Sequence, residues 1–326
     1  MSPLRILVIA FGTMLGLSAY AQNLRMLVSW PPSDRASYGQ AAEFKRIVEE
    51  IGKGKVTIQL LGPEVVPPFE QLQPVSAGAF DMLLTHGAYH GGSKGLALVA
   101  DAIAPDPAKR RASGVFAFMD DFYQKTHGIK ILAISILGYA GYHCFLKAPL
   151  TAEGDWKGRK IRGVSTFHGV IQSLGGSPVV LPVGETYSAL EKGVIDGSCT
   201  PAAGYMSSYK LYEVAKYRVE PTYGTNNTIF GINLNKWKSL SKESQEVLVE
   251  AGIRVERNNL DFGERVLREE HEVLAKRGVQ VSRLPPAKVQ LMETAWNRSI
   301  WELGDKCCGS ASKQIREIAA KAGLAK

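Results

Sequence analysis

The chain has no Cys-x-x-Cys pair, no Gly-x-x-x-x-Gly-Lys-Ser/Thr loop, no His-Glu-x-x-His run, no Gly-x-Ser-x-Gly elbow and no Gly-x-Gly-x-x-Gly turn. These absences argue against a zinc ribbon, a P-loop nucleotide site, a zinc peptidase, a hydrolase nucleophile elbow and a dinucleotide fingerprint. They leave open a catalytic triad dispersed along the chain. Cysteine is scarce: Cys144, Cys199, Cys307 and Cys308 are the whole set among 326 residues. An even count permits disulfides in an exported chain, but this scatter is no small-scaffold framework. Adjacent cysteines rarely join each other without strain, and the sequence leaves open whether Cys307 or Cys308 bridges to a distant partner. Concentrated charge of one sign is missing as well. The formal net charge is +8, yet Lys and Arg are spread along the chain and only Lys109-Arg110-Arg111 forms a tight run. A nucleic-acid partner is not expected from that pattern; a basic soluble protein that attracts anions is. Low-complexity tracts are absent and 45% of residues are hydrophobic, which is ordinary globular composition with room for two domains.

The one long apolar run is at the start. Arg5 precedes about 12 largely apolar residues from Ile6 to Leu17, and Ser18-Ala19-Tyr20-Ala21 follows. This reads as a signal peptide over 1–21, cleaved after Ala21, and places the mature protein in the periplasm. No later stretch reaches ~18 apolar residues, so no membrane span is expected.

Past the leader, element types alternate. Leu24 to Ser29 and Val56 to Leu61 read as strands, and Phe80 to Leu84 as a third. Between the first two, Ala41, Phe44, Ile47, Val48 and Ile51 recur at helical spacing. The βαβαβ order indicates a mainly parallel sheet. Strand Ile129–Ile136 follows a helix over Phe116–Gln124. A second set comprises a strand ending on Arg162, a helix over Phe167–Leu174, a strand Pro178–Leu181 and a helix Glu185–Glu191. Glu70 to Gly78 spans eight positions with Asp81 three further on; Glu185 to Gly193 spans eight with Asp196 three further on. That echo suggests two similar lobes, with Asp81 and Asp196 closing turns. A helix is expected over Ser208–Leu211. Lys242 to Arg277 reads as one long helix capped by Ser241, with Gly252 and Gly263 as places to break or bend.

Three runs carry a resemblance. Lys157-Gly158-Arg159-Lys160-Ile161-Arg162 leads to Leu174-Gly175-Gly176-Ser177-Pro178, then to Glu185-Thr186-Tyr187-Ser188-Ala189-Leu190 ending at Asp196-Gly197. Together with Tyr212-Glu213-Val214-Ala215-Lys216-Tyr217 and the strand before Asn235-Lys236-Trp237, this chain resembles the DctP-type solute receptors of TRAP transporters. The resemblance implies an α/β, two-lobed periplasmic binding protein fold with a long helix bridging the lobes. It implies a first lobe of 22–139 plus 229–265 and a second of 140–228 plus 266–326, with the ligand cleft between them. It also implies membrane subunits as partners, a monomer, no cofactor and no enzymatic activity. An exported hydrolase or isomerase acting on a small acid, and an ABC-type binding protein, are the competing readings.

From position alone, an arginine at a strand end is more often a surface ion pair. The resemblance assigns Arg162 the ligand's carboxylate, for which a guanidinium fork is suited. It points to Asn226, or its neighbour Asn227, as an amide that reaches the same acid. Trp30, Phe69, Glu70, Tyr89, Phe167 and Tyr205 fall on loops or helix starts expected to face the cleft. His86, His90, His143 and His168 lie near it too, as hydrogen-bonding groups rather than metal ligands. Tyr142 and His143 stand where some relatives carry a second arginine, so a monocarboxylate is favoured over a dicarboxylate.

Overall fold

The computed structural model describes residues 22–90 and 94–325. The expected signal peptide and the pair Gly91-Gly92 lie outside the described residues. Strand β1 (Gln22–Val28), helix α1 (Ser37–Gly52) and strand β2 (Val56–Leu61) are followed by helix α2 (Leu72–Ser76) and strand β3 (Met82–Thr85). Helix α1 buries Ala41, Phe44, Ile47 and Val48, the side chains whose spacing predicts it. A 3-10 segment over Leu96–Ala102, helices α3 (Pro107–Ala112) and α4 (Val115–His127), and strand β4 (Ile129–Ile136) complete the first half.

The second half opens with β5 (Tyr142–Leu146) and β6 (Lys160–Arg162). Helix α5 (His168–Ser173), strand β7 (Ser177–Val179), helix α6 (Thr186–Glu191) and strand β8 (Gly197–Pro201) follow. The helix expected at Ser208–Leu211 lies earlier, as α7 (Tyr205–Ser208); Lys210 adopts a left-handed φ of 54° and stops it from continuing. Strands β9 (Tyr217–Glu220) and β10 (Asn227–Asn233) lead to α8 (Leu234–Ser239) and the long α9 (Lys242–Lys276). The chain closes with β11 (Gln280–Arg283), α10 (Pro286–Cys308) and α11 (Ser310–Lys321). Among the described residues, no helix is long and apolar enough to cross a membrane.

The strands form two sheets, ordered β2-β1-β3-β10-β4 and β11-β9-β5-β8-β6-β7. Both contain the same parallel triple, β2-β1-β3 in one and β7-β6-β8 in the other. The aspartates of the sequence echo do the same work in each. Asp81 Oδ2 accepts the amide of Arg25 at 2.8 Å, and Asp196 Oδ2 accepts the amide of Lys160 at 2.8 Å. Each therefore ties the turn before the third strand of its triple to the first, midway along β1 at Arg25 and at the first residue of β6, Lys160.

The expectation of mainly parallel sheets needs one correction. Strands β10 and β5 are antiparallel to their neighbours, because each arrives from the opposite half of the chain. The crossings run side by side. Tyr142 and Tyr223 exchange backbone hydrogen bonds of 2.8 and 2.9 Å, and the amide of Leu137 donates to the carbonyl of Asn226. Helix α9 makes a third connection. Its 35 residues extend about 52 Å at ~1.5 Å each. It packs first on α1 and β4, then on α7, and buries Leu274 in a cluster with Phe145 and Leu190. Neither glycine breaks it. A Cβ at Gly252 would meet the Leu132 carbonyl oxygen at 2.3 Å, and one at Gly263 would meet the Gly138 amide nitrogen at 2.2 Å. These glycines bring the helix backbone against β4 and the first crossing.

The last two helices depart from the expected division. Helix α10 packs on both α5 and the 3-10 segment Leu96–Ala102, and α11 packs on α4. The tail therefore straps the second sheet's helices to the first sheet's. The cysteine pairing that the sequence left open is now visible: Cys144 bridges to Cys199 across β5 and β8, and Cys307 joins its neighbour Cys308, the pairing that adjacency disfavours. No distant partner serves either of the adjacent pair, since Cys144 and Cys199 already face each other in register.

Candidate functional site

Arg162 is the last residue of β6, at the carboxyl end of a strand flanked by β7 and β8. Open α/β sheets bind ligands at such ends. The side chain is 2% exposed and held by two backbone carbonyls. Nε donates to Leu181 at 2.9 Å and Nη1 to Cys199 at 3.2 Å. Nη2 is buried and has no partner among the described residues. Trp30, at the carboxyl end of β1, has its Nε1 buried and unpaired in the same way. Buried donors are almost always paired, so two orphans on one cavity call for an acceptor there.

That cavity, of about 20 Å³, lies where the two sheets face each other. Trp30, His86, Tyr89, Arg162, Phe167, Tyr205 and Asn226 all line it, joined by Tyr142, Val164 and Pro201. The Trp30 and Tyr89 rings lie 5.7 Å apart, and Tyr142 meets Phe167 edge-on at 4.9 Å. Burial raises the Tyr89 phenol, and its nearness to Arg162 and Trp30 works against that; its hydroxyl sits beside both orphaned donors without completing a well-aligned hydrogen bond to either. Tyr205 shares a 2.9 Å hydrogen bond with Ser37. The Asn226 Oδ1 lies 3.3 Å from the Tyr142 hydroxyl. Its neighbour Asn227 points elsewhere, to Asp101 and Arg110.

Two expected site residues lie away from the cavity. Glu70 is exposed on a 3-10 turn (Pro68–Glu70). His143 is adjacent to Tyr142 on β5, and side chains alternate along a strand, so only one of the two can face the cavity. His143 is buried on the other face, where burial pushes it down to about 3, helped by Arg218 and His271. His90 is likewise buried and pushed down to about 3, and hydrogen bonds Tyr123 at 2.9 Å. Among the described residues, no group of three His, Cys, Asp or Glu side chains is placed to hold a metal ion. Tyr142, expected only to stand where some relatives carry a second arginine, is the β5 residue that lines the cavity. Strand alternation at Tyr142-His143 was the signal that separates them.

A larger groove of about 500 Å³ adjoins the cavity and shares Val164. Phe69, Leu98, Val180 and Leu303 make it mainly apolar, and its charged member is Lys306. None of its lining side chains is an orphaned buried donor, so the Arg162 cavity is the better binding candidate.

A buried acid lies just behind the site. Asp34 accepts from the Ser37 amide at 2.9 Å and from the Tyr209 hydroxyl at 3.1 Å, and burial pushes its carboxyl up to about 6. A raised carboxyl favours the folded state while it is protonated. That contribution is complete below about 4 and is lost as the pH rises through about 6. Asp34→Asn keeps an acceptor but cannot ionise. Chemical denaturation between about pH 4 and 8 should show wild type losing stability relative to the variant across that window, with a constant gap above it. Parallel curves would contradict the assignment.

The family model for DctP, bacterial extracellular solute-binding protein family 7, matches residues 28–305. The chain belongs to that family of extracytoplasmic solute receptors. A monocarboxylate 2-oxoacid-binding periplasmic protein of Nostoc sp. is 29% identical over 243 residues, covering 70% of this chain and 65% of the relative. Among solved structures, a TRAP transporter solute-binding protein of Bordetella bronchiseptica with calcium and picolinate superposes with a TM-score of 0.80 at 21% identity, over 93% of this chain and 91% of that one. DctP7 of Bordetella pertussis, a receptor binding pyroglutamic acid, gives 0.79 at 18% identity, over 92% and 100%. These structures establish the two-lobed fold.

Proposed function

We propose that this protein is the periplasmic receptor of a TRAP transporter and captures a small organic acid, a monocarboxylate, for the membrane subunits. The observation that carries this reading is the pair of buried, unpartnered donors, Arg162 Nη2 and Trp30 Nε1, on one interlobe cavity. A carboxylate supplies two acceptor oxygens and the charge that a buried guanidinium needs. Asn226 and the rings of Tyr89, Phe167 and Tyr205 would orient the rest of the acid. The acids in the names of the Nostoc and Bordetella proteins all carry one carboxylate, which supports the class.

A cavity of about 20 Å³ has room for roughly one water, so uptake requires its walls to separate. In our reading each sheet with its helices is one lobe, and the lobes pivot at 137–141 and 221–226. Gly138, Gly141 and Gly224 in those crossings all have positive φ, and Gly138 packs on Gly263 of α9. The acid would bind the closed form more tightly and shift the population toward it. As a monomeric receptor the protein would need no cofactor.

Mass spectrometry of the denatured protein after purification, with a thermal-shift screen over mono- and dicarboxylates, tests the reading. An unmodified acid should be retained. At about 100 times its Kd it should add about 2.7 kcal/mol of stability. Turnover of that acid by the protein would replace the receptor with an enzyme. Stability untouched by every acid would remove the ligand class.

A further inference from the structure

Behind the wall made by His86, Tyr142 and Asn226 stands a carboxylate that does not itself line the cavity. Asp101, 1% exposed, ends the 3-10 segment Leu96–Ala102 with its neighbour. Its Oδ2 accepts from the Tyr142 hydroxyl at 2.8 Å and from His86 Nε2 at 3.0 Å. Its Oδ1 accepts from Asn227, through Nδ2 at 3.0 Å and the amide at 3.3 Å. Four donors thus converge on one carboxylate, which has the acceptor sites for all of them.

This arrangement fixes where the protons of the wall point. His86 Nδ1 accepts the amide of Ala88 at 3.1 Å, which leaves the ring's single proton on Nε2, facing Asp101. The Tyr142 hydroxyl is 2.8 Å from Asp101, against 3.2 Å from His86 Nε2, which carries its own proton, and 3.3 Å from Asn226, so its proton also goes to the carboxylate. Burial and the Asp101 charge hold the Tyr142 phenol well above its usual range, so it keeps that proton. What remains facing the cavity is the phenol oxygen, an acceptor, with a carboxylate one hydrogen bond behind it. Arg110, on the far side of Asn227, bonds that amide at 2.6 Å and the carbonyls of Ala100, Ile103 and Ala104. It makes no hydrogen bond to His86 or Tyr142 among the described residues.

We propose that Asp101 is a positioning residue that sets the charge selectivity of the site. By taking the protons of Tyr142 and His86 it leaves the Tyr142 oxygen as the acceptor on that wall, so the cavity takes a single carboxylate whose body offers an O–H or N–H toward Tyr142, and rejects a second anionic group. This rests on the reading of Arg162 as the carboxylate anchor.

The test uses three probes on one carbon skeleton: butyrate, 2-hydroxybutyrate and malate, titrated calorimetrically into the mature protein and its variants. Wild type should bind 2-hydroxybutyrate at least about tenfold more tightly than either of the others. Asp101→Asn should bring malate to within a few-fold of 2-hydroxybutyrate. Tyr142→Phe should erase the preference for the hydroxyl while keeping malate weak. Wild type that binds malate as well as 2-hydroxybutyrate overturns the proposal, as does a folded Asp101→Asn with the wild-type ratio. The Tyr142→Phe and wild-type arms decide it even where Asp101→Asn fails to fold, since an unchanged hydroxyl preference in Tyr142→Phe also overturns it. Arg162→Ala separates the two levels. If it still binds these probes, or if wild type binds none of them, the carboxylate reading itself is what fails.

Discussion

Replacing Arg162 with alanine should weaken acid binding by roughly 30-fold to several thousand-fold, the range that matches about 2–5 kcal/mol for truncating one partner of a buried charge pair. The size follows from how the side chain is mounted. Two of its three nitrogens are spent on the carbonyls of Leu181 and Cys199, so the guanidinium is locked before any ligand arrives. The remaining Nη2 is buried with no hydrogen-bond partner among the described residues, and Arg162 lines the cavity. A locked donor loses little entropy on binding, which raises the share of its interaction that appears as affinity. Arg162→Lys should recover only part of the loss. An ammonium keeps the charge but cannot reach both carbonyls and the ligand from one planar fork. Calorimetric titration of the retained acid into both variants, each checked for an unchanged fold by circular dichroism, reads the effect. Affinity within a few-fold of wild type in Arg162→Ala would remove the residue from the site.

Cutting the Cys144–Cys199 bridge should produce the largest loss of stability. The bridge spans 55 positions of chain, and closing a loop of that length in the unfolded state is worth about 4 kcal/mol in the chain-entropy account. Its place adds a second effect. Cys199 supplies the carbonyl that holds Arg162 Nη1, so the bridge steadies the strand on which the anchor rests. A Cys144→Ala/Cys199→Ala double variant should therefore unfold at much lower denaturant and also bind the acid less tightly. The Cys307–Cys308 bridge closes no comparable loop, its separation being one residue, so replacing that pair should cost far less. Equal losses from the two double variants, or a loss under about 1 kcal/mol from the first, would contradict this account.

The sequence showed the repeated unit clearly because both copies obey strong local rules. Apolar spacing marks α1, the run Val56–Leu61 is a strand to the residue, and the positive-φ glycines Gly78 and Gly193 sit just ahead of the paired aspartates. Arg162 was visible only through its motif, since nothing in its immediate neighbours says that two carbonyls, one of them nineteen positions ahead, would fix it. Strands β5, β8 and β9 were harder to see. They are short and buried, and they owe their pairing to partners distant in sequence. The same holds for Asp101. It lies in a 3-10 segment with no periodic pattern, and its importance comes from Tyr142 and Asn227, 41 and 126 positions away. Glu70 was drawn in as a helix-start residue expected to face the cleft, but on its 3-10 turn the side chain is exposed. The tail helices defeated a division by sequence position, because α10 touches both halves.

The central claim is that a carboxylate occupies the cavity between the lobes and bonds Arg162. A crystal structure of the protein with the acid that mass spectrometry identifies tests it most directly. The account predicts a carboxylate oxygen within about 3 Å of Arg162 Nη2, with Trp30 Nε1 bonded to the same acid and Tyr142 accepting from its body. An acid found instead against Lys306 in the neighbouring groove, with Arg162 Nη2 still unpartnered, would contradict it.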